Sequence, residues 1–302
     1  MRSVSYSTRL YIPPQEKNSV SSPTPTRQQR ILRFIDRAMR GIEVAPYHSP
    51  LAPKRDGFNC LTLDIFNYEQ LLENARKDPN VRDKIDNIQP VDIVASATNI
   101  DAAVMDRDEL ETYDYIVSSH NFEHLPNPIK FLKACGRVLK KNGLLSMAIP
   151  NKRFTFDIAR PLSSFADFYR AFHENYERPD PWTIFDFQSS FANDVPISTK
   201  TNGTPVYANS LTTTFNELID RLSNNADQSY QDAHCWVFTP ESFMSIILNC
   251  MILRLTPLSL THVEDAGFEF YAHFRNTGPL SVENSLKLEQ DRRNQTIMSF
   301  KN

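Results

Sequence analysis

The sequence predicts an α/β protein built on an open, mostly parallel sheet. Short apolar runs alternate along the chain with segments of helical spacing, which is typical of parallel strands joined by crossover helices. The 302 residues are 40% hydrophobic, enough to bury the core of one large domain or of one domain with an insertion. Because ligands of such sheets bind at the carboxyl ends of the strands, we expect functional residues directly after each strand.

The N-terminal residues are predicted to lie outside this sheet. Residues 1–26 are rich in Ser, Thr, Pro and Gln, so burial cannot offset the entropy cost of ordering them, and we expect a disordered or extended arm. An amphipathic helix ending near Gly41 follows, because apolar residues recur at helical spacing, namely Ile31, Leu32, Ile35, Ala38 and Met39.

Five apolar runs predict the parallel strands, at residues 42–45, 61–65, 91–95, 113–118 and 144–149. A helix over Tyr68–Lys77 is predicted between the second and third strands, stopped by Asp78-Pro79. A second helix is predicted between the fourth and fifth strands, with Asn127 as its cap, Pro128 in its first turn and Gly143 at its end.

The pattern breaks after the fifth strand. Residues 151–235 are aromatic and polar and too long for an ordinary loop, so we predict an insertion, partly helical, over the carboxyl edge of the sheet. A helix from Thr239-Pro240-Glu241 to about Met251 and strands at 253–263 and 268–274 follow, the strands forming a C-terminal antiparallel hairpin. The folded domain then covers residues 27–276, and residues 277–302 form a tail.

Composition excludes several classes of partner. The formal net charge of −3 shows no basic excess, so neither nucleic acid nor a membrane surface is expected as a partner, and a small or neutral molecule fits better. Without a run of about 18 apolar residues or the apolar core of a secretion signal, the expected location is cytoplasmic. The four cysteines form no CxxC pair, which indicates neither a zinc site nor a disulfide framework. The sequence leaves the oligomeric state open.

Four segments carry a resemblance to a known family. They are GIEVAPYHSPLAPK at 41–54, LTLDIF at 61–66, YDYIVSSHNFEHLPNP at 113–128 and RVLKKNGLLSMAIPNKRFTFD at 137–157. In this order and spacing the chain resembles class I S-adenosylmethionine-dependent methyltransferases, in particular bacterial proteins whose first cofactor loop reads Gly-Pro-x-x-x-Pro. The resemblance spans roughly the predicted domain and implies a Rossmann-like sheet, S-adenosylmethionine as cofactor and transfer of its methyl group.

The resemblance also implies roles for particular residues. Glu43 matches the acidic residue of the first strand that orients the cofactor loop, and Asp64 matches the acidic residue that accepts hydrogen bonds from the ribose hydroxyls. A carboxylate about 20 residues further along is also what nucleotide-binding sheets require. The other implied cofactor positions follow the first, third and fourth strands: Ala45, Pro46, Tyr47, Ser96, Ala97, Ser119, His120 and Asn121.

Ala45 departs from the family pattern, which places glycine there. Its methyl group disfavours a positive φ and displaces a cofactor from the backbone. We therefore expect Ala45 to weaken or abolish cofactor binding unless its φ is negative.

Two residues are candidates for catalysis. His120 lies closest to the end of the fourth strand and can accept a proton from a hydroxyl or amine, because histidine titrates near working pH. Asp157, with Arg153 and Arg160, either lines an acceptor pocket or forms a surface ion-pair group. Methyl transfer from a sulfonium requires an acceptor held in line and no metal, so no metal site is predicted.

Two further histidines are interpreted as structural. His124 is expected to be a hydrogen-bonded structural residue, and His234 a packing residue among aromatic side chains. The aromatic residues of the insertion either cover an acceptor or belong to the core.

Three functions compete at this point. The first is a methyltransferase that modifies an oxygen or nitrogen of a small molecule or saccharide. The second is a non-catalytic scaffold or binding protein on the same fold that has lost cofactor binding, which Ala45 and Ser96 favour and Glu43 and Asp64 oppose. The third, a nicotinamide-dependent oxidoreductase, requires a GxGxxG loop that the sequence lacks.

Overall fold

The computed structural model describes residues 24–195, 204–223 and 231–299, so most of the predicted N-terminal arm lies outside the described residues. The strands in this part are β1 Arg40–Val44, β2 Asn59–Asp64, β3 Ile93–Val94, β4 Tyr113–Ser119, β5 Leu139–Pro150, β6 Ala192–Asn193, β7 Val206–Tyr207, β8 Leu258–Asp265 and β9 Glu269–Asn276. The α-helices are α1 Arg27–Ile31, α2 Tyr68–Lys77, α3 Ile100–Met105, α4 Pro128–Val138, α5 Phe165–His173, α6 Pro181–Ser189, α7 Leu211–Ser223, α8 Pro240–Ile252 and α9 Val282–Ser299.

Seven strands form one sheet in the order β3-β2-β1-β4-β5-β9-β8. Strands β1 to β5 pair in parallel, whereas β9 runs antiparallel to both β5 and β8. The predicted fold, a mostly parallel sheet with a C-terminal antiparallel hairpin, is confirmed. Strands β6 and β7 pair separately. Because the strand order reverses between β1 and β4, the carboxyl ends of these two strands flank the crevice where such sheets bind ligands.

Helices with strong local start signals were predicted well. Helix α2 has the predicted bounds and begins with a capping box between Asn67 and Gln70. Helix α8 begins as predicted, with Thr239 capping the backbone N–H of Ser242 and Pro240 in the first turn. Short-range hydrogen bonds therefore determine where these two helices begin.

The two predicted helix ends that relied on glycine are wrong. Helix α1 stops at Ile31, and Gly41 lies inside β1. A Cβ at Gly41 would stand 2.1 Å from the ring of Tyr115, so packing across the sheet requires this glycine. Helix α4 ends at Val138, and Gly143 lies inside β5. Asn142, with φ of +65°, takes the left-handed conformation there.

The core occupies both faces of the sheet. The larger cluster includes residues of α3, α4 and α8, and the smaller cluster around Tyr115 includes Ile31 of α1.

The segment after β5 is partly helical, as predicted. Its aromatic residues differ in burial, because Phe168 is fully buried whereas Trp182 is 60% exposed. Within the described residues, every helix is too short or too polar to cross a bilayer.

Candidate active site

The side chain of Glu43 in β1 holds the loop that follows this strand. Its buried carboxylate accepts backbone N–H bonds from Leu51 at 2.7 Å and from Ala52 at 3.0 Å. Burial raises the pKa of Glu43 to about 7, although these two hydrogen bonds oppose the shift. The loop between Ala45 and Ala52 is therefore held at both ends, by β1 and by the Glu43 side chain.

The loop itself takes left-handed turns without glycine. Ala45 has φ of +49° and Tyr47 has φ of +44°, and the backbone N–H of Ala45 donates to Leu63 O at 2.7 Å. The φ of Ala45 is therefore positive, which is the condition under which weakened cofactor binding was expected. A left-handed alanine costs about 1 kcal/mol, and the ties at both ends of the loop offset that cost.

Asp64 ends β2 beside β1. Its carboxylate accepts the backbone N–H of Phe66 at 3.0 Å, and burial raises its pKa. The next residue, Ile65, is 44% exposed. A carboxylate next to an exposed apolar side chain suits S-adenosylmethionine, because the ribose offers two hydroxyl donors and the adenine an apolar face.

The other predicted cofactor positions lie in the loops after β1 and β3. Pro46 O accepts the N–H of Ser49 in a turn, and Ser96 Oγ lies 2.8 Å from Thr98 Oγ1. Ala97 is buried in the core, so its backbone alone is available to a ligand.

His120 follows the last residue of β4 and has φ of +47°. Its Nε2 lies 2.8 Å from Glu269 Oε2, and its ring stacks on Phe268 at a centroid distance of 5.5 Å. The side chain remains 32% exposed. The ring is therefore held in one orientation while part of it faces solvent.

Glu269, the residue that holds His120, belongs to a larger polar group. Burial opposes its ionisation, but hydrogen bonds from His120, Arg27 and Tyr271 outweigh burial and lower its pKa to about 2. Arg27 also donates to Ser119 Oγ at 2.5 Å. Ser119 and His120 therefore share one network, whereas the Asn121 side chain donates to Ser118 Oγ of β4.

Asp157 occupies a position that differs from both predicted alternatives. It is buried, and its two carboxylate oxygens bond to Arg160 Nη1 at 2.8 Å and to His234 Nδ1 at 2.6 Å. It neither lines an open pocket nor belongs to a surface ion pair. Arg153 lies apart from this group and forms a largely exposed pair with Glu241.

His124 and His234 are hydrogen-bonded as their structural interpretation requires. His124 Nδ1 lies 2.8 Å from Asp232 Oδ1, and His234 packs against the ring of Phe156 at 4.7 Å. Burial opposes protonation of His124, but the Asp232 hydrogen bond and the charge of Glu123 raise its pKa.

Sequence reasoning missed the partners of these histidines. Glu269 lies 149 residues from its contact His120. Arg27 lies 242 residues from its contact Glu269. No local spacing in the sequence therefore marks these contacts. The one usable signal was the position of Glu269 near the start of the predicted strand at 268–274.

The chain is similar to known proteins over most of its length. A family model described as Methyltransferase domain matches residues 26–247. Among solved structures the chain is similar to a SAM-dependent methyltransferase from Aquifex aeolicus, with 14% identity, coverage of 83% of this chain and 89% of that chain, and a TM-score of 0.40.

Two further solved structures are similar at low identity. One is an S-adenosylmethionine-dependent methyltransferase from Mesorhizobium loti, with 10% identity, coverage of 81% and 95%, and a TM-score of 0.39. The other, from Methanosarcina mazei and described with SAM-dependent methyltransferases, has 12% identity, coverage of 82% and 96%, and a TM-score of 0.41. No curated protein matches the sequence.

Proposed function

Because the chain belongs to the methyltransferase-domain family, we propose that it transfers a methyl group from S-adenosylmethionine to an oxygen or nitrogen of a small molecule or saccharide. The observation that carries this proposal is the placement of three side chains at the carboxyl ends of neighbouring strands. Glu43, Asp64 and His120 stand at the carboxyl ends of β1, β2 and β4, which are neighbours in the sheet. This edge is where the strand order reverses.

The cofactor roles follow from the contacts of each residue. Glu43 orients the loop that holds the methionine part, because it fixes the backbone of Leu51 and Ala52. Asp64 accepts the ribose hydroxyls, and the exposed Ile65 packs on the adenine. When bound, S-adenosylmethionine supplies an electrophilic methyl group on a sulfonium, and the protein contributes positioning.

His120 is the proposed general base. An ionised Glu269 beside Nε2 favours the tautomer that carries its proton on Nε2, which leaves the Nδ1 lone pair free to accept a proton from the acceptor. Asp157 is a positioning residue in this scheme, because both of its oxygens are already bonded to neighbours.

Two experiments test the proposal. The first is calorimetric titration with S-adenosylmethionine and with S-adenosylhomocysteine. The second measures methyl transfer to a panel of saccharides, alcohols and amines. We expect both cofactor forms to bind, and His120→Asn to lower kcat by about 10²- to 10⁴-fold with an unchanged cofactor Kd. Absence of binding, or unchanged turnover in His120→Asn, contradicts the proposal.

A further inference from the structure

Glu123 is a buried carboxylate without a hydrogen-bond partner. It lies in the turn Phe122–His124 after β4 and is 0% exposed. Neither of its oxygens has a hydrogen-bond partner among the described residues. Removing a carboxylate from water without supplying donors is unfavourable, so this arrangement points to a positive ligand that binds here.

Two imidazole nitrogens lie around this carboxylate. Glu123 Oε1 is 3.8 Å from His124 Nε2 and 4.0 Å from His234 Nε2, and the three candidate ligand atoms all lie within 4.8 Å of one another. These separations exceed a hydrogen bond. They also exceed the roughly 3.4 Å between neighbouring ligands of a tetrahedral ion with bonds of roughly 2.0–2.1 Å. The three side chains would therefore have to rotate closer together to hold one ion.

The other nitrogen of each ring is bonded to a carboxylate. His124 Nδ1 lies 2.8 Å from Asp232, and His234 Nδ1 lies 2.6 Å from Asp157, which Arg160 holds in turn. A metal-bound histidine commonly carries such a carboxylate partner, which fixes the ring and directs the remaining lone pair to the ion. Both rings are thus already oriented with Nε2 toward Glu123.

We propose that Glu123, His124 and His234 form a binding site for a divalent transition metal ion, with Zn²⁺ as the ion that this ligand set suits best. Two imidazoles and one carboxylate are typical zinc ligands, whereas Ca²⁺ and Mg²⁺ prefer oxygen ligands throughout. Three protein ligands leave a coordination position open. No metal site was predicted from the sequence. His234 is far from the other two ligands in the chain, and no spacing rule connects them.

The cluster lies beside His120, the proposed general base. His120 Nδ1 is 3.8 Å from the same Glu123 oxygen, and the His124 side chain is 24% exposed, so the site can be reached from solvent. The metal site stands without the proposed function. Its use to hold an oxygen of the methyl acceptor rests on that function.

Zinc titration of the metal-free full-length protein, with a fluorescent zinc chelator as competitor, tests the site directly. We expect one Zn²⁺ per chain, and Co²⁺ is expected to give the intense visible bands of a four- or five-coordinate complex. Glu123→Gln and His234→Asn should each lower zinc affinity at least 100-fold. His262→Asn, a histidine of β8 outside the cluster, is the matched control and should bind zinc like the wild type.

Two measurements separate metal binding from a structural role. Without metal, Glu123→Gln should melt at the same or a higher temperature than the wild type, because it removes a buried carboxyl group that has no hydrogen-bond partner among the described residues. Asp157→Asn keeps all three ligands and should lower zinc affinity about 10- to 100-fold, a change that a residue with only a packing role would not cause.

Sub-stoichiometric zinc binding in the wild type, or equal zinc affinity in the wild type and Glu123→Gln, overturns the metal site. Titration of the same metal-free protein with S-adenosylmethionine keeps the two proposals apart. Cofactor binding without zinc binding rejects only the metal site, and zinc binding without cofactor binding rejects only the proposed function.

Discussion

Glu43 and Glu123 stand at the carboxyl ends of neighbouring strands and are equally buried, at 2% and 0% exposure. Glu43 accepts two backbone hydrogen bonds from the loop that follows it. Glu123 accepts none from the described residues and faces histidine nitrogens instead. Burial alone therefore does not define the role of a carboxylate. The role depends on the hydrogen-bond donors around the carboxylate. Glu43 has such donors and fixes a loop, whereas Glu123 has none among the described residues and is the proposed metal ligand.

The two regions also differ in where their partners come from. The partners of Glu43 lie eight and nine residues further along the chain. The Glu123 region depends on Asp157 and His234, which come from the segment after β5. Four predictions test this contrast, and they are ordered from the largest expected effect to the smallest.

Asp157→Ala should lower the free energy of unfolding by about 3–5 kcal/mol, because it leaves the buried Arg160 and His234 without a shared partner. Urea denaturation measures the change. Asp167→Ala is the matched control, because Asp167 and Arg170 form the same i, i+3 pair at the surface, where the loss should stay below about 1 kcal/mol. Equal losses in the two variants would mean that the Asp157 network adds no stability.

Glu43→Gln should remove a pH dependence of stability. The folded state raises the pKa of Glu43 from 4.5 to about 7, so its contribution is fully present below pH 4.5 and is lost as pH rises through about 7. The wild type should lose up to about 3 kcal/mol of unfolding free energy over this range relative to Glu43→Gln. Urea denaturation at several pH values measures the difference.

Glu69→Gln, an exposed change on α2, should retain the wild-type pH profile. Parallel profiles for the wild type and Glu43→Gln would show that Glu43 remains ionised in the fold.

Asp64→Ala should raise the S-adenosylmethionine Kd about 10- to 100-fold, because a charged acceptor for two hydroxyl donors is removed. Calorimetry measures the change, and a cooperative thermal transition confirms folding. Zinc affinity should be unaffected, which would show that the two sides of the crevice bind independently. Asp56→Ala, an exposed change nearby, should leave the Kd unchanged, and an unchanged Kd in Asp64→Ala would reject the ribose role.

Ala45→Gly should give the smallest effect. Glycine removes the strain of a left-handed alanine but gains entropy in the unfolded chain, so stability should change by less than about 1 kcal/mol. We expect S-adenosylmethionine to bind equally or more tightly, as calorimetry would show. A tenfold loss of affinity would instead show that the alanine methyl group is adapted to the cofactor.

The sequence predicted those features that short stretches of chain determine. The starts of α2 and α8 and the succession of strands along the chain follow from caps and apolar runs. The family resemblance, together with the rule that ligands bind at strand ends, singled out Glu43, Asp64 and His120. The predicted ends of α1 and α4 were wrong. Gly41 is needed because a Cβ there would clash with the ring of Tyr115, and Gly143 lies within β5. No local pattern could reveal either constraint.

The polar partners of the site were missed for the same reason. Glu269 meets His120 only because β9 pairs with β5. His234 meets Glu123 only after the segment that follows β5 has folded back onto the sheet. Such contacts belong to the tertiary structure, and in the sequence they appear as isolated charged residues and an isolated histidine.

The contact between His120 and Glu269 joins residues 149 positions apart, and Arg27 reaches Glu269 over 242 positions. During synthesis on the ribosome, His120 therefore emerges long before the strand that will orient it. Contacts of such high sequence separation form late and slowly. The first strands can pair early, but the contact between His120 and Glu269 forms only after β9 has been synthesised.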